Sequence, residues 1–424
     1  MHMKHRIIKA IDSPHELEIL YRESPKEFTC AFPEVFQTHP ASKTLMAWQE
    51  RLFFEKGIAE DQPQSSLHLR PRDVLLTVVL SIIAGTIVKL PHFFPTLDGE
   101  RFYSRNLGGI VVGALIFYFC RQKSAPVKTA ISIFGFLFGA LIYLNLLPTK
   151  LNSQTLILAC MHMPFFFWSL LGLAFLGGAW TNMPGRMDYV RFNGELLIYS
   201  TIVLIGGMVL TGVTFVLFGL IDLKIHDWYM KNVVVYGTVA SPIVATLLID
   251  RVARARFRIS PLIAKVFTPL FLVTVAAYLF AMLFMQRSPF TDRNFLIAFN
   301  VLLLVVLGLC VLSIFERNPT KSTQTIDILN IGLVTLTLII DLVALAAIVF
   351  RLGSYGFTPN RLAVLGANLL VFCHLAGILY SYLWFIRGKA VIERLEKWIV
   401  GYIPVYTTWS IFVAIGFPLI FKFE

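Results

Sequence analysis

The sequence is poor in charged residues and contains none of the common catalytic motifs. Charged residues make up 15% of its 424 residues and hydrophobic residues 57%, whereas soluble proteins average about 25% charged and about 45–50% apolar residues. It contains no nucleophile elbow, phosphate-binding loop, dinucleotide fingerprint or His-Glu-x-x-His motif. These absences argue against an ordinary soluble fold and against the enzyme classes that carry those motifs.

Cysteine is also scarce, with five residues and no Cys-x-x-Cys pair. We therefore expect neither a disulfide framework nor a zinc site. The stretch Cys160–Met163 holds four possible metal ligands, but consecutive residues of a helix point around its axis, so we predict no metal site. No cofactor is predicted. The N-terminus lacks the apolar run of a signal peptide, so we expect none.

The net charge of +12 arises outside the N-terminal part of the chain. Acidic and basic residues balance between Met1 and Arg72, so the excess of Lys and Arg lies among the apolar runs. A basic excess in short loops orients a membrane protein. No basic domain with interleaved aromatic residues stands apart from these runs, so we predict no nucleic-acid partner.

Long apolar runs dominate the rest of the chain and predict an all-α, multi-pass transmembrane bundle, since about 20 apolar residues in a helix span a bilayer. We count about eleven spans. They are Val74–Leu90, Leu107–Cys120, Lys128–Leu147, Thr155–Gly177, Glu195–Ile221, Val233–Ile249, Pro261–Met285, Phe295–Phe315, Ile326–Phe350, Leu362–Phe385 and Ile399–Phe421.

The first 57 residues read as a small cytosolic helical segment. Ser13–Glu16 and Ser24–Glu27 predict capping boxes with proline in the first turn, and a further helix is predicted to stop at Gly57. Residues 58–72 read as a linker and 73–424 as the transmembrane domain. A segment this short has a marginal core of its own, so we expect it to dock on the membrane part or on a protein partner.

Loop charges predict the orientation of the chain. If the N-terminus is cytoplasmic, the inner loops together hold more Lys and Arg than the outer loops, as the positive-inside rule requires. Membrane lipids are then the expected surroundings. The oligomeric state stays open.

A short polar turn joins the spans Ile326–Phe350 and Leu362–Phe385. It reads Tyr355-Gly356-Phe357-Thr358-Pro359-Asn360-Arg361. We predict that Gly356 adopts the positive φ that ends one helix, that Thr358 caps the next, and that Pro359 lies in its first turn. This string between two spans resembles the signature of the domain-of-unknown-function 4153 family of bacterial inner-membrane proteins. The resemblance covers the chain from about Arg72 onward, implies a bacterial inner membrane, and supplies no activity.

Asp341 lies near the middle of the span that precedes this turn, where an unpaired carboxylate costs at least about 2.5–3.5 kcal/mol. Counted along the next helix, Asn368 and His374 bracket its depth. A carboxyl–imidazole pair at that depth carries protons at neutral pH. We therefore predict a proton relay or polar core of Asp341, Asn368 and His374. The alternative is that Asp341 hydrogen-bonds a neighbour and only locks helices together.

Three arginines are candidate contacts for anions or lipids. Arg361 lies in the first turn of a helix, where the dipole disfavours a cation, so we predict an anionic partner there; snorkelling to the interface is the alternative. Arg251 and Arg254 belong to the densest basic cluster, which we expect to face anionic headgroups or simply to fix orientation.

Three functions follow from these residues. The first is a transporter or flippase-like protein, proton-coupled through Asp341 and His374. The second is a non-transporting scaffold or sensor that acts through residues 1–57. The third is a membrane enzyme acting on a lipid-linked substrate, which the short loops disfavour.

Overall fold

A computed structural model describes most of the chain. It covers residues 2–39, 42–60, 71–123, 125–148, 153–219, 225–252, 267–273, 275–276, 279–280, 290, 293–315, 317 and 324–423. Within these ranges the regular structure is entirely helical. The chain divides into two compact units, Met1–His68 and Leu69–Glu424. This division falls inside the predicted linker, of which residues 61–70 lie outside the described ranges.

The described part of the first unit holds four helices: α1 (His2–Lys9), α2 (Pro14–Glu23), α3 (Pro25–Thr38) and α4 (Lys43–Glu60). Helix α1 is not predicted from the sequence. Helix α4 continues past Gly57 to Glu60, so the predicted end of the segment falls inside a helix. The core is apolar; its buried members are Ile7, Ala10, Leu17, Leu20, Phe28, Ala31, Phe32, Val35, Leu45 and Trp48.

The two predicted capping boxes are wrong in their side chains. Ser13 and Ser24 do occupy the N-cap positions, with proline following, but neither side chain makes a capping hydrogen bond. Ser24 is also the C-cap of α2, and its backbone N–H donates to the Leu20 carbonyl. One residue thus closes one helix and opens the next, which leaves no room for the usual N-cap geometry.

Helix α2 is joined to α4 by a charged contact on the surface of this unit. Glu18 accepts hydrogen bonds from Arg51 and from Arg22, which follows it by one turn. The Arg51 and Arg22 guanidinium groups lower the pKa of the Glu18 carboxyl below its ordinary value. The Arg51 guanidinium also lies 4.5 Å from the centre of the Trp48 ring, so it covers the aromatic edge of the core.

The helices of the second unit whose bounds are described are, in chain order, α5 (Pro71–Val88), α6 (Leu90–Phe93), α7 (Gly99–Gln122), α8 (Val127–Leu146), α9 (Gln154–Phe175), α10 (Met183–Gly219), α11 (His226–Tyr229), α12 (Val235–Val252), α13 (Arg293–Phe315), α14 (Thr325–Tyr355), α15 (Pro359–Ile386), α16 (Ile392–Gly401), α17 (Ile403–Ile411) and α18 (Phe417–Ile420). Residues 267–273, 275–276 and 279–280 are helical as well. Single π-helical turns, Met230–Val234 and Phe412–Gly416, join α11 to α12 and α17 to α18.

Nine helices among the described residues are long and apolar enough to cross a membrane. The chain is therefore an all-α, multi-pass membrane protein. The nine correspond to all the predicted spans except the seventh and eighth. Most of Pro261–Met285 lies outside the described residues, and Phe295–Phe315 lies within α13. The last span, Ile392–Ile420, is assembled from α16, α17, a π-turn and α18.

Helices α13, α14 and α15 pack as an antiparallel trio around one of the apolar cores. Each presents a buried stripe whose members alternate three and four residues apart. The stripe of α13 contains Phe299, Leu303, Val306, Cys310 and Ser313, that of α14 contains Asp327, Asn330, Val334, Thr337, Asp341, Ala344 and Ile348, and that of α15 contains Asn368, Val371, Leu375, Ile378 and Tyr382. This spacing is the seam of left-handed helix packing, and the seam of α14 is unusually polar.

Candidate functional site

The polar seam of α14 begins with a buried ion pair. The Nε of Arg317, just beyond α13, lies 3.1 Å from both carboxylate oxygens of Asp327. Both side chains are 1% exposed. Asp327 also completes a capping box with Gln324, whose backbone N–H donates to it over 2.8 Å. This carboxylate is paired, hydrogen-bonded and structural.

One turn further along α14, Asn330 joins three helices. Its amide nitrogen donates to the Ser313 hydroxyl on α13 at 2.8 Å and to the Tyr382 hydroxyl on α15 at 3.0 Å. All three side chains are buried. These bonds, together with the Arg317–Asp327 pair, fix the register of α14 against both neighbours.

Asp341 lies three turns beyond Asn330 on the same seam. The Asn330 bonds to Ser313 and Tyr382 show that these three residues lie at one level of the trio. Three stripe positions further along each helix, Asp341 lies at the same level as Leu303 and Val371, which are both buried and apolar. Asp341 is 0% exposed, and neither of its carboxylate oxygens has a hydrogen-bond partner among the described residues. It therefore differs from Asp327, whose carboxylate is paired with Arg317. It also differs from Asn330, whose amide nitrogen donates two bonds although its Oδ1 has no partner among the described residues.

The polar groups nearest to Asp341 along the seams lie about one turn away on either side. Thr337 donates to the Leu333 carbonyl of its own helix at 2.7 Å. Asn368 is 4% exposed, and its amide nitrogen has no hydrogen-bond partner among the described residues. Asn368 thus lies on the seam of α15 that faces α14, as the predicted polar core requires.

His374 faces a different part of the protein. Its Nδ1 lies 2.9 Å from the Tyr406 hydroxyl on α17, and its ring stacks on Tyr402 with centroids 4.4 Å apart. Its carbonyl accepts a bond from Trp398 Nε1 at 3.1 Å. Because the Asp341 oxygens have no hydrogen-bond partner among the described residues, to which His374 belongs, the predicted carboxyl–imidazole pair is not formed in this structure.

The turn between α14 and α15 has the predicted geometry. Gly356 adopts φ 77° and ends α14. The Thr358 side chain accepts a hydrogen bond from the Arg361 backbone N–H at 3.3 Å, and Pro359 is the first residue of α15. The Asn360 backbone N–H donates to Gln154 at 3.4 Å, which ties the turn to α9.

Arg361 finds its partner on the preceding helix. Its Nη1 donates to the carbonyls of Tyr355 and Gly356, each at 2.7 Å. These carbonyls form the negative C-terminus of α14, where a cation is favourable, so the unfavourable position of Arg361 at the start of α15 is offset. The predicted contact of Arg361 with an anion or lipid stays a prediction.

We expect Arg361→Ala to destabilise the protein by about 1–2 kcal/mol, because two charge-assisted bonds to the end of α14 are lost. The measurement is unfolding of the purified protein in mixed micelles. Arg387→Ala is the control, since Arg387 is exposed at the other end of α15. Equal stability of the two variants would show that the bonds to Tyr355 and Gly356 contribute nothing.

The structure does not place the side chains of the two remaining candidate arginines, Arg251 and Arg254. Arg251 lies in the last turn of α12, but its side chain is outside the described part of the chain, and Arg254 lies wholly outside it. Searches of the described residues found no group of three or more His, Cys, Asp or Glu that could hold a metal ion.

Four buried polar residues at this seam were not predicted as site residues: Arg317, Asp327, Asn330 and Thr337. Their signal is present in the sequence: Asp327, Asn330, Thr337 and Asp341 all fall on one helical stripe of an otherwise apolar run. Arg317 reads as an ordinary loop charge because its partner follows ten residues later. Comparisons with protein-family models, curated proteins and solved structures found no match to this chain.

Proposed function

We propose that this chain is a proton-coupled transporter in which Asp341 binds the coupling proton. The observation that carries the proposal is the Asp341 carboxyl, which is fully buried at mid-span with no hydrogen-bond partner among the described residues. A carboxylate in apolar surroundings is unfavourable unless a proton, a cation or water compensates its charge. Such groups inside membranes mark the paths of protons and ions.

The alternative, that Asp341 only locks helices together, has less support. Locking requires a bond to a neighbour, and Arg317–Asp327 and Asn330 already provide such bonds on the same seam. Asp341 contributes no bond of this kind among the described residues. A buried polar group that does not stabilise its surroundings is better explained by function.

We also propose the finer features that the sequence suggests. The chain crosses a bacterial inner membrane about eleven times with its N-terminus in the cytoplasm, and it is related to the domain-of-unknown-function 4153 family. The turn Tyr355–Arg361 supports the family, the loop charges support the orientation, and α13 adds an apolar helix of 23 residues to the nine candidate spans. Asn368 is the polar group best placed to respond when Asp341 gains or loses its proton, since it lies about one turn away along the facing seam.

The experiment is proton uptake into proteoliposomes that contain a pH-sensitive dye, recorded as amines, amino acids and carboxylates are added in turn. We expect a solute to trigger uptake by the natural protein, and Asp341→Asn to reduce that uptake by about tenfold or more, as for removal of an essential proton carrier. Thr337→Val is the control, because Thr337 is equally buried on the same seam and its hydroxyl donates to the Leu333 carbonyl of its own helix. Full uptake by Asp341→Asn would overturn the proposal.

A further inference from the structure

A pair of arginines lies at the end of the bundle where α7 begins and α8 ends. Arg101 is exposed, whereas Arg105, one turn further into α7, is only 3% exposed. Both helices are candidate spans, and the ends of spans lie at the level of the lipid headgroups. Lipid phosphates and dissolved anions are both available at that level. The pair belongs to no part of the polar seam of α14.

The guanidinium of Arg105 is only half satisfied. Its Nη1 lies 2.9, 3.1 and 3.1 Å from three carbonyl oxygens at the end of α8, those of Leu144, Asn145 and Leu147. Because Nη1 carries two hydrogens, these three acceptors already exceed what it can use. Its Nη2 carries two more hydrogens, is buried, and has no hydrogen-bond partner among the described residues. One nitrogen thus anchors α8, and the other lacks an acceptor.

Arg101 brings a second positive charge to the same place. Its Nη2 lies 3.5 Å from the Asn145 carbonyl oxygen that also accepts from Arg105. The position of that oxygen is fixed, because the side-chain amides of Asn145 and Asn106 exchange hydrogen bonds of 2.8 and 3.2 Å between α8 and α7. Two guanidinium groups therefore converge on one carbonyl.

No acidic side chain offsets these charges in the part of the chain that the structure describes, where neither arginine forms an ion pair. Asp98 instead caps α7, accepting the backbone N–H groups of Glu100 and Arg101 at 3.0 and 3.3 Å, and Glu100 is exposed. The C-terminus of α8 supplies roughly half a negative charge, against two guanidinium charges. The pair therefore keeps a positive charge that an anion would compensate.

We propose that Arg101 and Arg105 bind a phosphate group. The phosphate meets the exposed guanidinium of Arg101 and accepts from Nη2 of Arg105 one turn deeper, while Nη1 of Arg105 stays on the end of α8. Guanidinium groups match the spacing of phosphate oxygens, and a phosphate has oxygens enough for both arginines, whereas a carboxylate has two. The group belongs to a lipid headgroup or to a small dissolved molecule, since both present the same oxygens.

The test is calorimetry on the delipidated full-length protein in uncharged maltoside micelles, at a constant chloride concentration. The probes are inorganic phosphate and dihexanoylphosphatidylglycerol, with acetate as the carboxylate for comparison. We expect at least one phosphate probe to bind at one molecule per chain, and acetate to bind more weakly. Tighter binding of the phospholipid identifies a headgroup as the source, and tighter binding of inorganic phosphate identifies a dissolved molecule.

Two variants test the arginines. Arg101→Gln and Arg105→Lys should each weaken binding of the phosphate probe about tenfold or more, since each removes a charged donor group. Arg105→Lys keeps the positive charge but offers one nitrogen in place of two. Arg121→Gln is the matched control, because Arg121 is exposed at the other end of the same helix; its affinity should stay within about threefold of the natural protein.

Absence of binding by both phosphate probes, equal binding of acetate, or unchanged binding in either folded variant would each overturn the inference. Should Arg105→Lys fail to fold, Arg101→Gln decides, because Arg101 is exposed. Asp341→Asn should bind phosphate normally. The site is defined by equilibrium binding, so failure of the proton proposal leaves this result readable.

Discussion

Replacement of Asp341 by leucine is expected to make the protein more stable, by about 2–3 kcal/mol. Leucine has the same branching at Cγ and belongs in the apolar level formed with Leu303 and Val371. The change removes a carboxyl that makes no hydrogen bond among the described residues and adds apolar contact in its place. The same variant should lose proton uptake. Stability gained together with activity lost is the expected signature of a functional residue.

The measurement is the free energy of unfolding in mixed micelles, taken alongside the uptake assay. Asp341→Asn should lie between the natural protein and Asp341→Leu, because the amide removes the charge but keeps the polarity. Thr337→Val serves again as the control, for it changes a hydroxyl that bonds the Leu333 carbonyl of its own helix. A fall in stability for Asp341→Leu would instead assign Asp341 to the locking role.

Removal of one member of the Arg317–Asp327 pair is expected to have the largest effect on stability in the protein, a loss of about 3–5 kcal/mol. Both side chains are 1% exposed, so Arg317→Met leaves the Asp327 charge buried without its main partner. Asp327 also accepts a hydrogen bond from the Gln324 backbone N–H. Replacement of Asp327 therefore removes the cap at the start of α14 as well.

A double-mutant cycle separates these effects. The variant with both Arg317→Met and Asp327→Leu should recover most of the loss, because no uncompensated charge remains in the core. The reference for these stability changes is an exposed ion pair, Arg6–Glu23 in the first unit, whose side chains are 42% and 48% exposed. Disruption of this pair should change the free energy of unfolding by less than about 1 kcal/mol. The prediction would be contradicted if the single variants of Arg317 and Asp327 lost no more stability than the Arg6–Glu23 reference.

Local sequence signals predicted the helical hairpin of α14 and α15 well. Gly356, Thr358 and Pro359 act within their own turn, and the run lengths on either side determine the depth of Asp341. Local signals of this kind need no knowledge of the rest of the chain. The same reasoning failed at Ser13 and Ser24, which occupy the expected N-cap positions but whose side chains make no capping hydrogen bond.

Contacts between distant residues account for most of what the sequence did not reveal. His374 is bound by Tyr406 and Tyr402 from α16–α17, and nothing in the run Leu362–Phe385 indicates which helix will cover that face. Arg361 was expected to need an external anion because its own helix start repels it. The carbonyls that it binds belong to the other side of the turn. The partners of His374 and Arg361 are both determined by which helices pack together, and the periodicity of a single sequence does not encode this pairing.

Among the described residues, the side-chain bonds that join the buried seam of α14 to the seams of α13 and α15 are concentrated at one end of the trio. Arg317–Asp327 and the Ser313–Asn330–Tyr382 cluster all lie on the α14 N-terminal side of Asp341. Beyond Asp341, the seams meet through Phe299, Ala344 and Ile348, apart from Asn368. Separating these apolar faces by a few ångströms breaks no hydrogen bond among the described seam residues, whereas separating the other end breaks several. At that end α15 is held to α14 by the turn and by the Arg361 bonds, whereas the described seams of α13 and α14 meet there through apolar side chains. We therefore expect water to reach Asp341 first between α13 and α14, from the end where Arg361 closes the turn.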